Sequence, residues 1–394
     1  MITFLTAGES HGPELTAILE GMPAGLPVDR GALNVQMARR QKGYGSGGRM
    51  RIEKDAVQIT AGVMNGRTTG APIAMRVPNR DYEKWRDREV TPLTVPRPGH
   101  ADLTAAVKYG YPELRLSLER ASARETAARV AVGALCKQLL AAFDVSVGSY
   151  VVRIGEIEAH IPPQMAYAER FAAAEANDVR CPLPDAAEEM RQFIWETMQA
   201  RDTAGGIFEV VALGVPPGLG SHVHWDRRLD ARLIFAVASI QAIKGVEIGP
   251  AFANAARPGS QVHDEIFLAE DEQTLLRKSN HAGGFEGGIT TGQPVVVRAA
   301  MKPISTVLNP LHTVDLASGE ETETVYERSD FCSVPRAAVV GEAMVAITLA
   351  DALSAKVGGD SLAEMKARFE TLRQARLDDL PMDNAPWRFG YEET

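Results

Sequence analysis

The chain has 394 residues, of which 45% are hydrophobic and 24% charged, and a formal net charge of -9 at pH 7. The acidic balance argues against broad nucleic-acid binding. No apolar run in the sequence approaches the ~18 residues of a membrane span, so a soluble globular protein with a large core is expected.

Residues 2–7 form an apolar stretch that ends in Gly8-Glu9-Ser10-His11-Gly12, and a strand pattern follows over 16–19. The start of the chain shows no basic leader, which makes the cytoplasm the expected location. His11 lies in a loop, where a histidine can reach a ligand and titrate near neutral pH, although a lone histidine more often has no such role. Residues 39–49 combine Arg39, Arg40, Lys42 and Arg49 with four glycines, and Arg51 follows. Backbone N–H groups and guanidinium forks can both hold anions there, so a small anionic ligand is expected; a solvated basic loop is the plainer alternative. The glycine spacing does not fit a dinucleotide fingerprint.

Strand patterns recur over 57–63, 73–77, 147–154, 208–213 and 294–300. Alanine-rich helical patterns cover part of 101–118, then 123–143, 229–244 and 337–357, with apolar residues on more than one face, which predicts buried central helices. Residues 159–203 are rich in charge and proline and read as a partly helical surface excursion. Gly21-Met22-Pro23-Ala24-Gly25-Leu26 is echoed by Gly214-Val215-Pro216-Pro217-Gly218-Leu219. Each turn follows a strand pattern and precedes an Asp-Arg pair, so either the chain holds two related halves or two similar turns arose by chance.

His100, in Arg97-Pro98-Gly99-His100-Ala101-Asp102, repeats the setting of His11 beside a glycine. Glu119 to Thr126 opens a helix, with Ser122 and Glu125 spaced as a capping box, and Arg120 and Arg124 could seat an anion there. Gly283 to Gly288 and Lys302 to Thr306 read as ligand loops. Asp330, just before the last long helix, reads as either a cap or an acid/base group. His222 and His224 could pair on a strand face but lack a third ligand, so no metal is expected. Cys136, Cys181 and Cys332 show no paired spacing and read as buried or incidental thiols.

Taken together, Gly8 to Gly12, Arg97 to Asp102, Arg120 to Val130, Gln241 to Gly249, Met301 to Thr306 and Arg328 to Glu342 closely resemble the chorismate synthase family, in the same order and up to about Gly359. The resemblance implies a trans-1,4 elimination that converts 5-enolpyruvylshikimate 3-phosphate to chorismate and phosphate. It also implies reduced FMN without net oxidation, and a single α+β domain over 1–394: a β-α-β sandwich with long helices between two antiparallel sheets. The internal repeat suggested by the two turns would make that sandwich pseudo-twofold. The tail after about 360 would vary, and the assembly would be a homotetramer. By position, His11 matches the proton donor to the leaving phosphate, His100 the histidine that protonates reduced flavin, and Asp330 the aspartate near flavin N5 that helps N5 accept the C6 proton. Flavin contacts would come from Arg120, Ala121, Ser122, Gln241, Ala242, Gly287, Lys302, Pro303, Ile304, Ser305, Thr306 and Arg328. Ser10, Arg40, Arg49 and Arg124 would face the anions of the substrate or of NADP. Ser46 stands where many members carry arginine, which weakens the case for a direct NADPH site. No added reductase domain is seen, so an external reductant is implied, with NADPH acting indirectly. An FMN-dependent oxidoreductase and a non-catalytic phosphometabolite-binding protein are the competing readings.

Overall fold

The computed structural model describes residues 1–47, 54–325 and 329–390. Two antiparallel sheets dominate it. In the first, β1 (Thr3–Ala7), β2 (Glu14–Glu20), β3 (Gln58–Ala61) and β4 (Ile73–Pro78) lie in the order β1-β2-β4-β3. In the second, β5 (Ser146–Ile154), β6 (Ile157–Glu158), β7 (Gly206–Leu213), β8 (Ile243–Ile248) and β9 (Val295–Met301) lie in the order β8-β9-β7-β5-β6.

The helices that build the core and the site are α1 (Arg30–Gln41), α2 (Asp102–Tyr109), α3 (Arg115–Ala121), α4 (Thr126–Ala141), α5 (Tyr167–Glu175), α6 (Pro184–Gln199), α7 (Leu229–Ala238) and α8 (Val334–Val357), with further helices at Tyr82–Trp85, Ala251–Ala255 and Leu362–Phe369. Helix α4 packs on β2 and β4 of the first sheet, while α8 packs on β5 and β7 of the second. The two helices pack against each other, with α1 and α7 beside them, so a helical layer lies between the sheets. Small residues make this crossing close: a Cβ at Gly133 of α4 would sit 2.4 Å from the Cβ of Ala343 on α8. By length and composition α8 could cross a membrane, but nearly all of it is buried inside the protein. An apolar helix covered by protein on every side meets the same test as one covered by lipid.

Strand alternation shows which faces are covered. In β2, Leu15, Ala17 and Leu19 are buried, while Ile18 on the opposite face is exposed. In β5 and β7 both faces are apolar because α5 of the 159–203 segment lies on the outer side, with Phe171 and Tyr167 packing against Tyr150, Val152 and Val211. That segment is partly helical, as its composition suggests. It is more than a surface excursion, since Cys181, Met190 and Ile194 belong to the main core. All three cysteines are buried free thiols.

Three helical patterns end differently from expectation. Gly110, at φ 66°, breaks 101–118 into α2 and α3. The 123–143 pattern begins as a 3-10 turn, Ala123–Glu125, before α4 takes over. The third, 229–244, stops at Ala238. Ala242 adopts φ 67° and the chain enters β8, whose first two residues fall inside the helical pattern.

The two echoed turns make the same bonds. Pro23 O accepts from the Thr68 hydroxyl at 2.5 Å, and that hydroxyl accepts from Leu26 N–H at 2.9 Å. Pro216 O accepts from the Thr290 hydroxyl at 2.7 Å, and that hydroxyl accepts from Leu219 N–H at 2.8 Å.

Candidate active site

Loops at the edges of both sheets and the ends of α1, α3, α4 and α8 enclose a cavity of about 730 Å³. Its wall includes His11, His100, Arg40, Arg97, Arg124, Lys302, Asp330 and Arg336. Each histidine is held by a carboxylate. His11 Nδ1 lies 2.8 Å from Glu119 Oε1, and the His11 backbone N–H donates to Glu119 Oε2 at 2.7 Å. The Trp85 ring packs 4.7 Å from the imidazole, centroid to centroid. His100 Nδ1 lies 2.5 Å from Asp102 Oδ1. Asp102, fully buried at the start of α2, also accepts from Arg97 Nε at 2.8 Å and Nη2 at 3.0 Å. In both cases a carboxylate engages Nδ1 and sets the ring's orientation, and at His100 the Arg97 Nη2 also lies 3.1 Å from Nδ1 and 3.5 Å from Nε2.

The charges bear this out. Burial opposes ionisation of Asp102, but hydrogen bonds from His100 and Arg97 outweigh it and hold the carboxyl well below the usual range. Burial likewise opposes ionisation of Glu119, and the hydrogen bonds from the His11 ring and backbone N–H lower its pKa despite it.

Further cations line the cavity. Asp55, buried, receives both oxygens' worth of contact from Arg124 Nη1 at 2.7 and 2.8 Å, and Arg40 Nη1 approaches it at 3.4 Å. Arg40 is further fixed by Thr126 Oγ1 and Ala123 O. Arg336 is pushed down in pKa by burial and then by the charge of Arg40, the expected strain where two cations share a space suited to an anion. Asp330 pairs with Arg336, and it accepts from Gly47 N–H at 2.7 Å and from the Ser333 hydroxyl at 2.8 Å. It therefore anchors the glycine loop as well as facing the cavity. A Cβ at Gly47 would meet Ser329 O at 2.4 Å, so the close approach of these two segments needs glycine.

Ser10, Ala121, Ser122, Gln241, Ala242, Ile304, Ser305 and Thr306 also line the cavity, whereas Arg120, Pro303 and Gly287 do not. Arg120 donates to Thr6 instead, and Gly287 lies in a hairpin near His222. Arg39 turns away from the cavity to Glu342 and Glu175, which divides the basic run into one interior and one cavity arginine. Ser46 donates to Gly43 O. Arg49, Arg51 and Arg328 lie outside the described residues. Sequence reasoning missed Asp55, Asn79, Asp102 and Glu119 as partners and Arg336 as a wall residue. Only Asp102 offered a signal, its spacing of two from His100.

A cavity lined by several guanidinium groups and by two histidines held by carboxylates defines an enzyme site for a small anionic ligand. A chorismate synthase family model matches residues 2–354. Proteins named chorismate synthase from Aquifex aeolicus (strain VF5) and Desulforamulus reducens are 53% and 52% identical over 388 and 385 residues. The alignments cover 94% and 95% of this chain and 96% and 99% of those relatives. A crystal structure of chorismate synthase superposes with a TM-score of 0.77 at 46% identity, covering 94% of this chain and 96% of that one. The chain belongs to the chorismate synthase family. Its activity is the lyase reaction of the shikimate pathway that releases phosphate from 5-enolpyruvylshikimate 3-phosphate to form chorismate.

The family requires reduced flavin, and one feature of the wall fits such a ring. Gln241 Oε1 is buried with no hydrogen-bond partner among the described residues, an acceptor suited to a ring N–H. Ala121, Ala123 and Ala337 give a small-residue lining beside it.

Proposed function

We propose that the flavin is FMN, and that Ala121, Ser122, Gln241, Ala242 and Lys302 to Thr306 hold it, with Arg120, Gly287 and Arg328 contributing further contacts. When bound, reduced flavin would lend electron density as phosphate leaves, with no net oxidation. The chain's own groups do the rest. Arg40, Arg49 and Arg124, with Ser10, bind the phosphate and carboxylates. His11 delivers a proton from Nε2 to the departing phosphate oxygen, which makes phosphate a better leaving group. His100 would exchange a proton with the flavin through Nε2, and Asp330 would assist departure of the C6 proton of the substrate.

The observation that carries this reading is the pairing of both histidines with carboxylates in one cavity that Arg40, Arg97, Arg124, Lys302 and Arg336 also line. Lys302 supports it. Burial and then Lys244 lower the Lys302 pKa, which marks a cation in a partly dry, positively charged place where an anion is welcome.

The remaining elements of the reading are that the whole chain works as one domain, in the cytoplasm, as a homotetramer, with the flavin reduced by an external donor and NADPH acting only indirectly. The matched strand orders β1-β2-β4-β3 and β5-β7-β9-β8, together with the identical Pro–Thr–Leu bonding of the two turns, support two halves related by a pseudo-twofold axis.

Turnover under anaerobic conditions with pre-reduced FMN tests the chemistry. Many phosphates released per flavin are expected; one flavin oxidised per turnover would replace this reading with an oxidoreductase.

A further inference from the structure

Asn79 is buried, lies outside the cavity wall, and joins the cationic side of the site to the loop that carries His11. Its Oδ1 accepts from Arg124 Nε at 2.8 Å. Its Nδ2 donates to Gly12 O at 2.7 Å and Glu9 O at 3.2 Å, and its backbone N–H donates to Pro13 O at 3.0 Å. Three donors of one residue thus grip three carbonyls that flank His11 on both sides. The amide orientation is fixed by chemistry: a guanidinium can only donate and a carbonyl can only accept, so the oxygen must face Arg124 and the nitrogen must face the loop. Aspartate would satisfy Arg124 but turn an acceptor on two carbonyls. Asn79 also accepts from Tyr82 N–H at the entry to the short helical turn Tyr82–Trp85, whose Trp85 ring packs on His11.

We infer that Asn79 is a positioning residue that sets the place of His11 from the place of Arg124, so that the arginine that meets the substrate anion and the imidazole that protonates the leaving phosphate are held in one frame. This rests on the reading of His11 as proton donor. A frame of this kind matters because a displacement of about 1 Å at a proton donor costs on the order of a hundredfold in rate.

The test is a double-mutant cycle on kcat, measured anaerobically with pre-reduced FMN, over wild type, Asn79→Asp, His11→Gln and the double variant, with KM determined alongside. Asn79→Asp keeps the acceptor for Arg124 and breaks the grip on the loop. The expected result is a kcat loss of roughly 10- to 100-fold with KM changed less than about threefold, and no further loss when Asn79→Asp is added to His11→Gln. A loss of the same factor in both backgrounds, or a change confined to KM, would overturn the proposal and leave Asn79 as ordinary packing. If His11→Gln itself keeps full kcat, the proton-donor reading fails first, and the cycle shows that separately. Should Asn79→Asp not fold, Asn79→Ser, which shortens the side chain away from both the loop and Arg124, serves the same cycle with the same expected non-additivity.

Discussion

The two histidine–carboxylate pairs resemble each other on paper and differ in how they are built. Glu119 comes from α3, more than a hundred residues from His11, and keeps some exposure; its second oxygen is spent on the His11 backbone N–H. Asp102 lies two residues from His100, has no exposure, and is shared with the buried guanidinium of Arg97. The first pair is a tertiary contact that ties a loop to a helix. The second is a local motif made permanent by an ion pair, in which Arg97 neutralises the carboxylate whether or not His100 is charged. The lesson is that similar chemistry at two points of one cavity can rest on different stabilising interactions, with different sensitivity to mutation and pH.

The largest expected effect concerns the imidazoles themselves. His11→Ala and His100→Ala each lower kcat by about 10²- to 10⁴-fold, as loss of a positioned proton-transfer group does, while substrate and flavin binding change far less. Rates of phosphate release beside equilibrium binding check this; unchanged turnover in both variants would refute the assignment.

The carboxylates separate the two pairs. Asp102→Asn strands the buried Arg97 charge and is expected to cost about 3–5 kcal/mol of stability, the range for breaking a buried ion pair. Glu119→Gln keeps an acceptor for the His11 N–H and is expected to cost about 1 kcal/mol. Its consequence is mainly catalytic, through a looser imidazole. Urea-unfolding midpoints of the two variants decide the matter, and equal losses would erase the contrast.

Acid should show the smallest difference. Both carboxyls have folded pKa values below their unfolded ones, so each contributes stability that is present above the unfolded pKa, near 3.9 for aspartate and 4.3 for glutamate, and is lost as pH falls below it. The wild type should therefore lose this stability as pH falls below about 5 and on down through the folded values. Asp102→Asn should flatten that loss more than Glu119→Gln does, because Asp102 is held lower. Parallel acid slopes for the two variants would show that other carboxyls dominate.

Much of this was legible in the chain. The alternation in 73–77 and the small-residue helical pattern of 123–143 announced a sheet and a buried helix, because burial of one face or of all faces writes itself into the period. His11, His100 and Asp330 stood out by their glycine-flanked or helix-preceding positions, and all three line one cavity. What stayed hidden had no local signature. The helical pattern over 229–244 runs past the end of α7, but Ala242 turns the backbone to φ 67° and residues 243–248 pair with β9 instead. The apolar faces of 147–154 and 208–213 announced strands without saying that α5 would cover their outer side.

The sequence by itself determined the family, the strand-and-helix grammar and the residue types able to move protons and hold anions, since these depend on side-chain chemistry and short-range spacing. Only the tertiary structure decided which cation faces the cavity and which the interior. Arg39 and Arg40 are neighbours in the chain, yet the step of about 100° between adjacent residues of α1 sends the first to Glu342 and the second to Asp55 and the cavity. It also decided that Glu119, Asp55 and Asn79 belong to the site, because long-range pairing is set by where the packed elements end, which adjacent residues do not record.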